Sequence, residues 1–218
     1  MKIIDLSHTY RPGMTGMSKW HPVVEFRRMG KLEEIGMNTS SILLGSHIAT
    51  HMDAASHFIP GGYSIEATTL ERCVGEVTVV DVRHRGKGDC LRVADLEPYQ
   101  LKPRVLLCFG YCKYWADQAQ YNVNYPYIGM EAAQYLLDKG VELVAMDIPS
   151  PDRPPAEGEE RFPVHKLMLS HNIIFVEALA NTQAVDFSAR YTLVALPLKL
   201  EGVDASPCRV ILIEKGAL

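Results

Sequence analysis

The sequence predicts a single-domain α/β protein, and three observations support that prediction. Short runs rich in Val, Ile and Leu, each bounded by Gly, Pro, Asn or Asp, recur along the chain, as expected of strands. One amphipathic helix, over residues 130–139, passes directly into the apolar run at residues 141–146, an order typical of α/β construction. The 218 residues suffice for one substantial core and contain no interior linker, so a single domain is expected over residues 1–218.

The strand pattern is found in nine segments. They are residues 2–6, 23–27, 41–44, 77–82, 105–109, 141–146, 173–176, 192–196 and 210–214. The predicted helix places Met130, Ala133, Leu136 and Leu137 on one face and stops at Gly140. A second, shorter helix is expected over residues 166–169. Two loops, residues 11–17 and the Pro-rich residues 148–163, are expected to cover a site, because long loops in compact domains are often functional.

Composition excludes several classes of function. A net charge of -4 without a cluster of Lys and Arg argues against nucleic acid as a partner. The longest apolar runs have the length of a strand, so no membrane span is expected. The N-terminus lacks the pattern of a signal peptide, which favours a cytoplasmic protein. The five cysteines are expected to be reduced, with Cys108 in a buried strand and Cys112 as a candidate to line a cleft.

Four residues that carry acid–base and metal-binding chemistry lie between positions 47 and 57: His47, His51, Asp53 and His57. On a straight strand they would share a face, but His47 and His51 would stand ~13 Å apart at roughly 3.3 Å per residue. The ligands of one metal ion must lie within a few ångströms of each other. If these residues bind one centre, the chain must therefore curl here, as a helical turn or a folded loop.

Isolated histidines are usually solvated or packed in a core, and that is the alternative explanation of this cluster. Three histidines and an aspartate among small residues favour metal binding or acid–base catalysis instead. His165 and Glu177 are the best candidates for further ligands. Glu177 follows four apolar residues, and a buried carboxylate requires compensation by a cation or hydrogen bonds. The alternative is that Glu177 is the first solvated residue after its strand.

The other histidines carry weaker signals. His84 and His171 are expected in surface turns, while the sequence leaves the roles of His8 and His21 open.

Several motifs of the chain resemble those of a known family. The pattern His-x-x-Thr-His-x-Asp-x-x-x-His at 47–57 is similar to the signature of the cyclase family, which includes bacterial kynurenine formamidase and isatin hydrolase. Further motifs resemble the family's in the same order along nearly the whole chain: residues 4–8, 12–14, 20–22, 147–152, 165–179, 197–198 and 202–209.

The resemblance implies a swivelling β/β/α fold with a mixed central sheet, assembled as a homodimer or homotetramer. It also implies a divalent-metal centre, with two zinc ions per chain or manganese as the alternative. Its ligands would be His47, His51, Asp53, His165 and Glu177, with Asp53 bridging the two ions and Glu177 reaching both. The resemblance further makes His57 the acid–base residue and Trp20 a wall of the substrate pocket.

This chain departs from the family pattern at a few positions. Ala49 stands where the family usually has Gly, and Ala55 where it usually has Pro. Residues 109–113 depart from a commoner Thr-Gly-Trp pattern, position 21 is His, and Ala178 stands where Asn or Gly is frequent. The ligands are kept, so the metal site is expected to persist. The later changes fall in regions that resemble the pocket, so they bear on the substrate.

These residues predict metal-dependent hydrolysis of an amide, with water activated on the metal as the nucleophile and His57 as the acid and base. The resemblance implies an arylformamidase that converts N-formylkynurenine to kynurenine and formate, and the aromatic amide would stack on Trp20. Hydrolysis of isatin, another lactam or a lactone on the same scaffold is the alternative. A metal-binding protein without turnover is the third possibility, and His57 argues against it because a storage site needs no unligated imidazole.

Overall fold

The computed structural model describes residues 1–16, 20–154 and 157–216. Met17, Pro155 and Ala156, which belong to the two predicted loops, lie outside the described residues.

The described residues form twelve strands. They are β1 (Ile3–Asp5), β2 (Glu25–Gly30), β3 (Thr39–Leu43), β4 (His51–Asp53), β5 (Val74–Asp81), β6 (Cys90–Leu91), β7 (Arg104–Cys108), β8 (Tyr127–Ile128), β9 (Leu143–Met146), β10 (Ile174–Glu177), β11 (Tyr191–Pro197) and β12 (Ala205–Glu214). The α-helices among them are α1 (Leu32–Ile35), α2 (Leu70–Cys73), α3 (Val93–Leu96), α4 (Gln118–Tyr121), α5 (Met130–Asp138) and α6 (Pro163–Ser170). Short 3-10 turns include Ala55–His57 and Tyr111–Tyr114.

A mixed sheet of eight strands organises the molecule in the order β1-β12-β11-β5-β7-β9-β10-β4. The strands β5, β7, β9 and β10 are parallel, and the remaining pairs are antiparallel. The first residues of β12 also pair with β4, opposite Asp53, so the sheet closes on itself. Both the predicted α/β class and the mixed central sheet are confirmed.

The two faces of the sheet pack into two apolar cores. Alternate strand residues, such as Val105 and Leu107, belong to a first core, which they share with helices α5 and α6. Their neighbours Leu106 and Cys108 point the other way, into a core shared with β11 and β12. This alternation follows from the two-residue period of a strand. Cys108 is buried in a strand, as predicted.

The nine predicted strand segments all overlap strands. The segments at 23–27 and 41–44 form β2 and β3, a separate two-stranded hairpin outside the main sheet. The expected helix at 166–169 is α6, which begins at Pro163 and therefore contains His165. Glu177 is the last residue of β10 and is buried, so its solvated alternative is wrong. The single domain over 1–218 and a cytoplasmic location stay predictions.

Within the part of the chain that the structure describes, no helix has the length and apolar character needed to span a membrane.

Candidate metal centre

The segment that contains His47 and His51 curls before it enters β4. Residues 46–50 form consecutive bends, and Ala49 adopts a left-handed backbone with φ of 51°. The curl brings His47 Nδ1 to 2.9 Å from Asp53 Oδ1, while His51 Nε2 lies 3.4 Å from the same oxygen. The sequence prediction of a curled chain is confirmed. It takes the form of a folded loop that leads into a strand.

Strand pairing brings the second group of residues to the first. β10 runs antiparallel to β4 with Glu177 opposite His51, and His51 Nε2 lies 3.5 Å from Glu177 Oε2. His165, in the first turn of α6, places Nε2 3.3 Å from Glu177 Oε1 and 3.5 Å from Asp53 Oδ2. The five residues expected as ligands therefore converge around the Asp53 carboxylate.

Outer contacts fix how two of these imidazoles are presented. His51 Nδ1 lies 2.8 Å from the carbonyl oxygen of Ala49, and His165 Nδ1 lies 2.7 Å from Asp152 Oδ2. Both partners only accept, so each Nδ1 carries the proton and donates it. The Nε2 atom of each ring is left facing the cluster, which is how metal-binding histidines are usually oriented.

The cluster is buried, and several of its polar atoms lack a hydrogen-bond partner among the described residues. The Asp53 side chain is 1% exposed. Among the described residues, no hydrogen bond of good geometry reaches His51 Nε2, either Asp53 carboxylate oxygen or Glu177 Oε1, which have only the side-chain contacts of 2.9–3.5 Å given above. A buried polar group costs about 1–3 kcal/mol when its partner is missing altogether, so incomplete hydrogen bonding leaves part of that cost in place.

A cation among these atoms would offset that cost. His51, Asp53 and Glu177 each offer a ligand atom within 4.8 Å of the others, as do His47, Asp53 and His57. Imidazole and carboxylate donors suit zinc, and carboxylate-rich bridged sites also suit manganese. The residues present thus fit a divalent metal.

The electrostatics of these side chains agree with this fit. Burial raises the pKa of Asp53, but His47, His165 and His51 outweigh burial and hold that pKa well below its usual range. Burial lowers the pKa of His47, yet Asp53 and Asp204 raise it to about 10. In the same way, Asp152, Asp53 and Glu177 overcome burial and raise the pKa of His165. Protons on these imidazoles therefore take the place of a cation beside the carboxylates.

Asp204 is a site residue that the sequence analysis quoted within a motif without assigning it a role. It immediately precedes β12, and its Oδ2 atom lies 2.7 Å from His47 Nε2 and 3.2 Å from His57 Nδ1. Ser46 donates a hydrogen bond to the other oxygen at 3.2 Å. Asp152 was likewise quoted without a role, and its contacts orient His165. In each case the sequence showed only an acidic residue in a family-like motif.

His57 stands beside the cluster in the 3-10 turn Ala55–His57, with its ring centroid 3.9 Å from that of His47. Its side chain is 26% exposed and lines the adjoining cavity. The geometry admits His57 either as a ligand beside His47 and Asp53 or as an acid–base group. Its assignment as the acid–base residue stays a prediction.

A cavity of about 660 Å³ opens over the cluster. His51, His57, His165 and Glu177 contribute to its lining. Aromatic residues from several elements line it further: Trp20, Phe58, Trp115, Tyr121, Tyr125 and Phe162. The predicted wall residue Trp20 is 83% exposed and therefore stands at the outer edge. The sequence analysis missed the other five, because strand and helix patterns do not show which aromatic residues face a shared cavity.

Of the remaining residues considered from the sequence, some lie at this cavity and others lie away from it. His21 lines it, and His8 stacks on Trp115 with ring centroids 3.8 Å apart. His84 and His171 are on the surface, as predicted. Cys112 does not line the cavity but is buried with Sγ 3.1 Å from Thr182 Oγ1.

Both predicted loops border the cavity, through Thr15 and Gly16 in the first, and through Pro149, Ser150, Pro154, Arg161 and Phe162 in the second.

The closed mixed sheet, with buried histidines and carboxylates at the floor of an open cavity, defines a metal-dependent hydrolase. The family model described as "Putative cyclase" matches residues 4–153, and the chain belongs to this cyclase family. It is 32% identical to a kynurenine formamidase of Erythrobacter litoralis, over 98% of this chain and 94% of the relative. A kynurenine formamidase of Bacillus cytotoxicus is 28% identical, with 81% of this chain and 80% of the relative covered.

Solved structures agree with this assignment. A potential metal-dependent hydrolase with cyclase activity superposes with a TM-score of 0.77 at 27% identity, covering 99% of this chain and 98% of the other. Isatin hydrolase A from Labrenzia aggregata, solved with benzyl benzoate, superposes with a TM-score of 0.84 over 97% of this chain and 93% of the other. At 21% identity, the second likeness shows the shared fold.

Proposed function

We propose that the protein is an amide hydrolase of the arylformamidase type, which converts N-formylkynurenine to kynurenine and formate. One observation carries the proposal: buried His and carboxylate groups with incomplete hydrogen bonding form the floor of a cavity whose walls are aromatic. The kynurenine formamidase relative that spans 98% of this chain supports the same activity.

The proposed metal centre holds two zinc ions, with manganese as the alternative. His47, His51 and Asp53 would hold one ion, and Asp53, His165 and Glu177 the other, with Glu177 within reach of both. A divalent metal supplies Lewis acidity toward a carbonyl oxygen and lowers the pKa of bound water. The convergence of the other four side chains around the buried Asp53 carboxylate supports this assignment.

His57 is proposed to move the proton during the reaction. Asp204 Oδ2 lies 3.2 Å from His57 Nδ1 and would accept a hydrogen bond from this nitrogen. In the neutral ring, Nε2 is then the basic atom. It can take a proton from the attacking water and pass it to the leaving nitrogen of the amide. The tetrahedral intermediate collapses when that C–N bond breaks.

The cavity walls are proposed to hold the aryl group of the substrate. Ring faces from Trp115, Phe58 and Phe162 offer stacking and edge contacts, and Trp20 would close the outer edge. A cavity of about 660 Å³ also accommodates a bicyclic lactam such as isatin. Lactam hydrolysis is the second candidate, supported by the likeness of the fold to isatin hydrolase.

We also propose that the chain assembles as a homodimer or homotetramer through the β2–β3 hairpin. Every residue of β3 is exposed, and the hairpin and its connection expose large apolar side chains: Phe26, Met29, Leu32, Ile35, Met37, Ile42 and Leu43. A two-stranded hairpin is marginally stable alone, so a second copy packed on this face would stabilise it. Ile42→Asp should shift the mass in multi-angle light scattering toward the monomer. An unchanged oligomer would contradict this use of the hairpin.

A substrate screen tests the proposed function. Metal-loaded protein is incubated with N-formylkynurenine, isatin and simple lactones, and the products are measured by chromatography. Preferred turnover of N-formylkynurenine supports the proposal, and preferred turnover of isatin supports the second candidate. His57→Ala is the matched variant: kcat should fall by about 10²- to 10⁴-fold with metal content retained. Unchanged turnover at full metal content would refute the acid–base role, and loss of metal would identify His57 as a ligand.

A further inference from the structure

The loop before α6 brings an arginine to the cavity of the metal centre. Arg161 lines that cavity, and its guanidinium carbon lies 5.4 Å from the centroid of the Phe162 ring. The Phe162 ring in turn packs 5.1 Å from Phe58 and 6.0 Å from His165, centroid to centroid. The guanidinium therefore lies near one ring of the aromatic wall, and that ring in turn lies near the proposed metal ligand His165.

Arg161 is distinct among the charged groups of this region. Of the cavity-lining residues that the structure describes, it is the only Arg or Lys. Two acidic residues of the same loop already pair with other cations: Glu159 with Arg153 at 2.6 Å, and Glu160 with Lys166 at 2.9 Å.

No carboxylate within residues 1–16, 20–154 or 157–216 forms an ion pair with Arg161. A guanidinium offers a planar fork of donors that matches a carboxylate. On an aromatic wall and without such a partner, it is suited to bind the carboxylate of a ligand in the cavity.

We propose that Arg161 determines specificity by binding an anionic carboxylate on the tail of the aromatic amide, so that the enzyme selects carboxylate-bearing aryl formamides over neutral ones. The proposal rests on the proposed function, because it concerns the same cavity and the same scissile bond. A volume of about 660 Å³ is that of a site for a ligand larger than a bare aryl formamide, which leaves room for the tail. The aryl group would lie on the aromatic wall, with the formyl group over the buried cluster.

A binding experiment tests this role without requiring turnover. Dissociation constants of kynurenine and of its neutral carboxamide are measured by calorimetry on metal-loaded unmodified protein, Arg161→Met, Arg161→Lys and Arg153→Met. Arg153 is the matched control, because it belongs to the same loop but does not line this cavity. We expect the unmodified protein to prefer the carboxylate by ~10-fold, the strength of a partly solvated charge-assisted pair.

Arg161→Met should abolish that preference and leave binding of the carboxamide unchanged. Arg161→Lys should keep part of the preference, and Arg153→Met should keep all of it. An Arg161→Met protein that retains the preference would overturn the proposal, as would equal weakening of both ligands or an unmodified protein without preference.

Turnover adds a second readout. In Arg161→Met the KM for N-formylkynurenine should rise ~10-fold with kcat nearly unchanged, while the constants for its carboxamide stay the same. A rise in KM for both substrates alike would contradict a role in carboxylate recognition. If the unmodified protein hydrolyses neither substrate, the proposed function fails, and the binding comparison still decides the role of Arg161.

Discussion

Replacement of Asp204 by Asn probes the link between the proposed metal centre and the proposed proton carrier. Asp204 Oδ2 contacts His47 Nε2 at 2.7 Å and His57 Nδ1 at 3.2 Å. Hydrogen bonds from these two imidazoles outweigh partial burial and hold the pKa of Asp204 far below its usual range. The carboxylate is therefore an anion near neutral pH. Asn keeps its size but removes the charge and one acceptor.

The size of the effect follows from these contacts. A hydrogen bond to a charged group contributes about 1.5–3 kcal/mol. The Asp204 side chain is 40% exposed, so solvent screening places each contact at or below the lower end of that range. Loss of two weakened contacts then amounts to about 1.4–2.7 kcal/mol, or a 10- to 100-fold loss in kcat/KM. Because His57 loses its orientation, most of the loss should appear in kcat.

The assay is steady-state hydrolysis of N-formylkynurenine with metal content measured on the same samples. Asp138→Asn is the matched control, since Asp138 is exposed at the end of α5 and contacts Gln134. Asp204→Asn should show the loss in kcat, and Asp138→Asn should match the unmodified protein. An Asp204→Asn protein with kcat within about twofold of the unmodified protein, at full metal content, would refute this reasoning.

Three further predictions concern the metal-free protein and its fold. Neighbouring carboxylates raise the pKa values of His47 and His165 in the absence of metal, so metal binding near pH 7 should release about two protons and become tighter as pH rises. Calorimetry in buffers of different ionisation enthalpy measures the number of protons released. Metal binding that does not depend on pH would contradict this prediction. Ala49→Val should lower the Tm by several degrees, because a β-branched residue is strained at a φ of 51°. Ala49→Gly should leave the Tm within about 2 °C, because Gly relieves the backbone strain but loses a buried methyl group. Equal Tm values for the two variants would count against strain at this position. Burial lowers the pKa of His8 to about 4, whereas a His in the unfolded chain has a pKa near 6.5. Between these two pH values the unfolded chain binds more protons than the folded protein. The free energy of unfolding should therefore fall as pH drops from about 6.5 to about 4. Denaturant titrations should show a smaller fall in His8→Gln, and an identical fall would exclude His8 as a source.

The sequence predicted those parts of the fold whose signal is local. The apolar segments that form β7, β9 and β10 were found because buried parallel strands are continuously apolar. The strand β4 was missed, since its three residues His51, Met52 and Asp53 show no apolar pattern of their own. Its place in the sheet depends on pairing with β10 and β12, which no local signal encodes.

The candidate site divides in the same way. The curl at residues 47–53 was predicted because the ligands of one metal ion must lie close together, and the left-handed backbone at Ala49 is part of that curl. The departures at Ala49 and Ala178 both fall at positive φ, where Gly or Asn is favoured, which gives the usual residues a conformational reason. The role of Asp204 could not be predicted, because it depends on contacts with His47 and His57 across more than a hundred residues of sequence. Arg161 gave no sequence signal, since its meaning depends on the cavity it lines.

The metal content of the purified, metal-loaded protein tests the central claim most directly. Mass spectrometry of metals on unmodified protein should give about two equivalents of zinc or manganese per chain. Asp53→Asn should lose most of this metal, because Asp53 lies within reach of His47, His51 and His165. Fewer than about half an equivalent in unmodified protein, with every proposed ligand intact, would contradict a metal centre at this cluster.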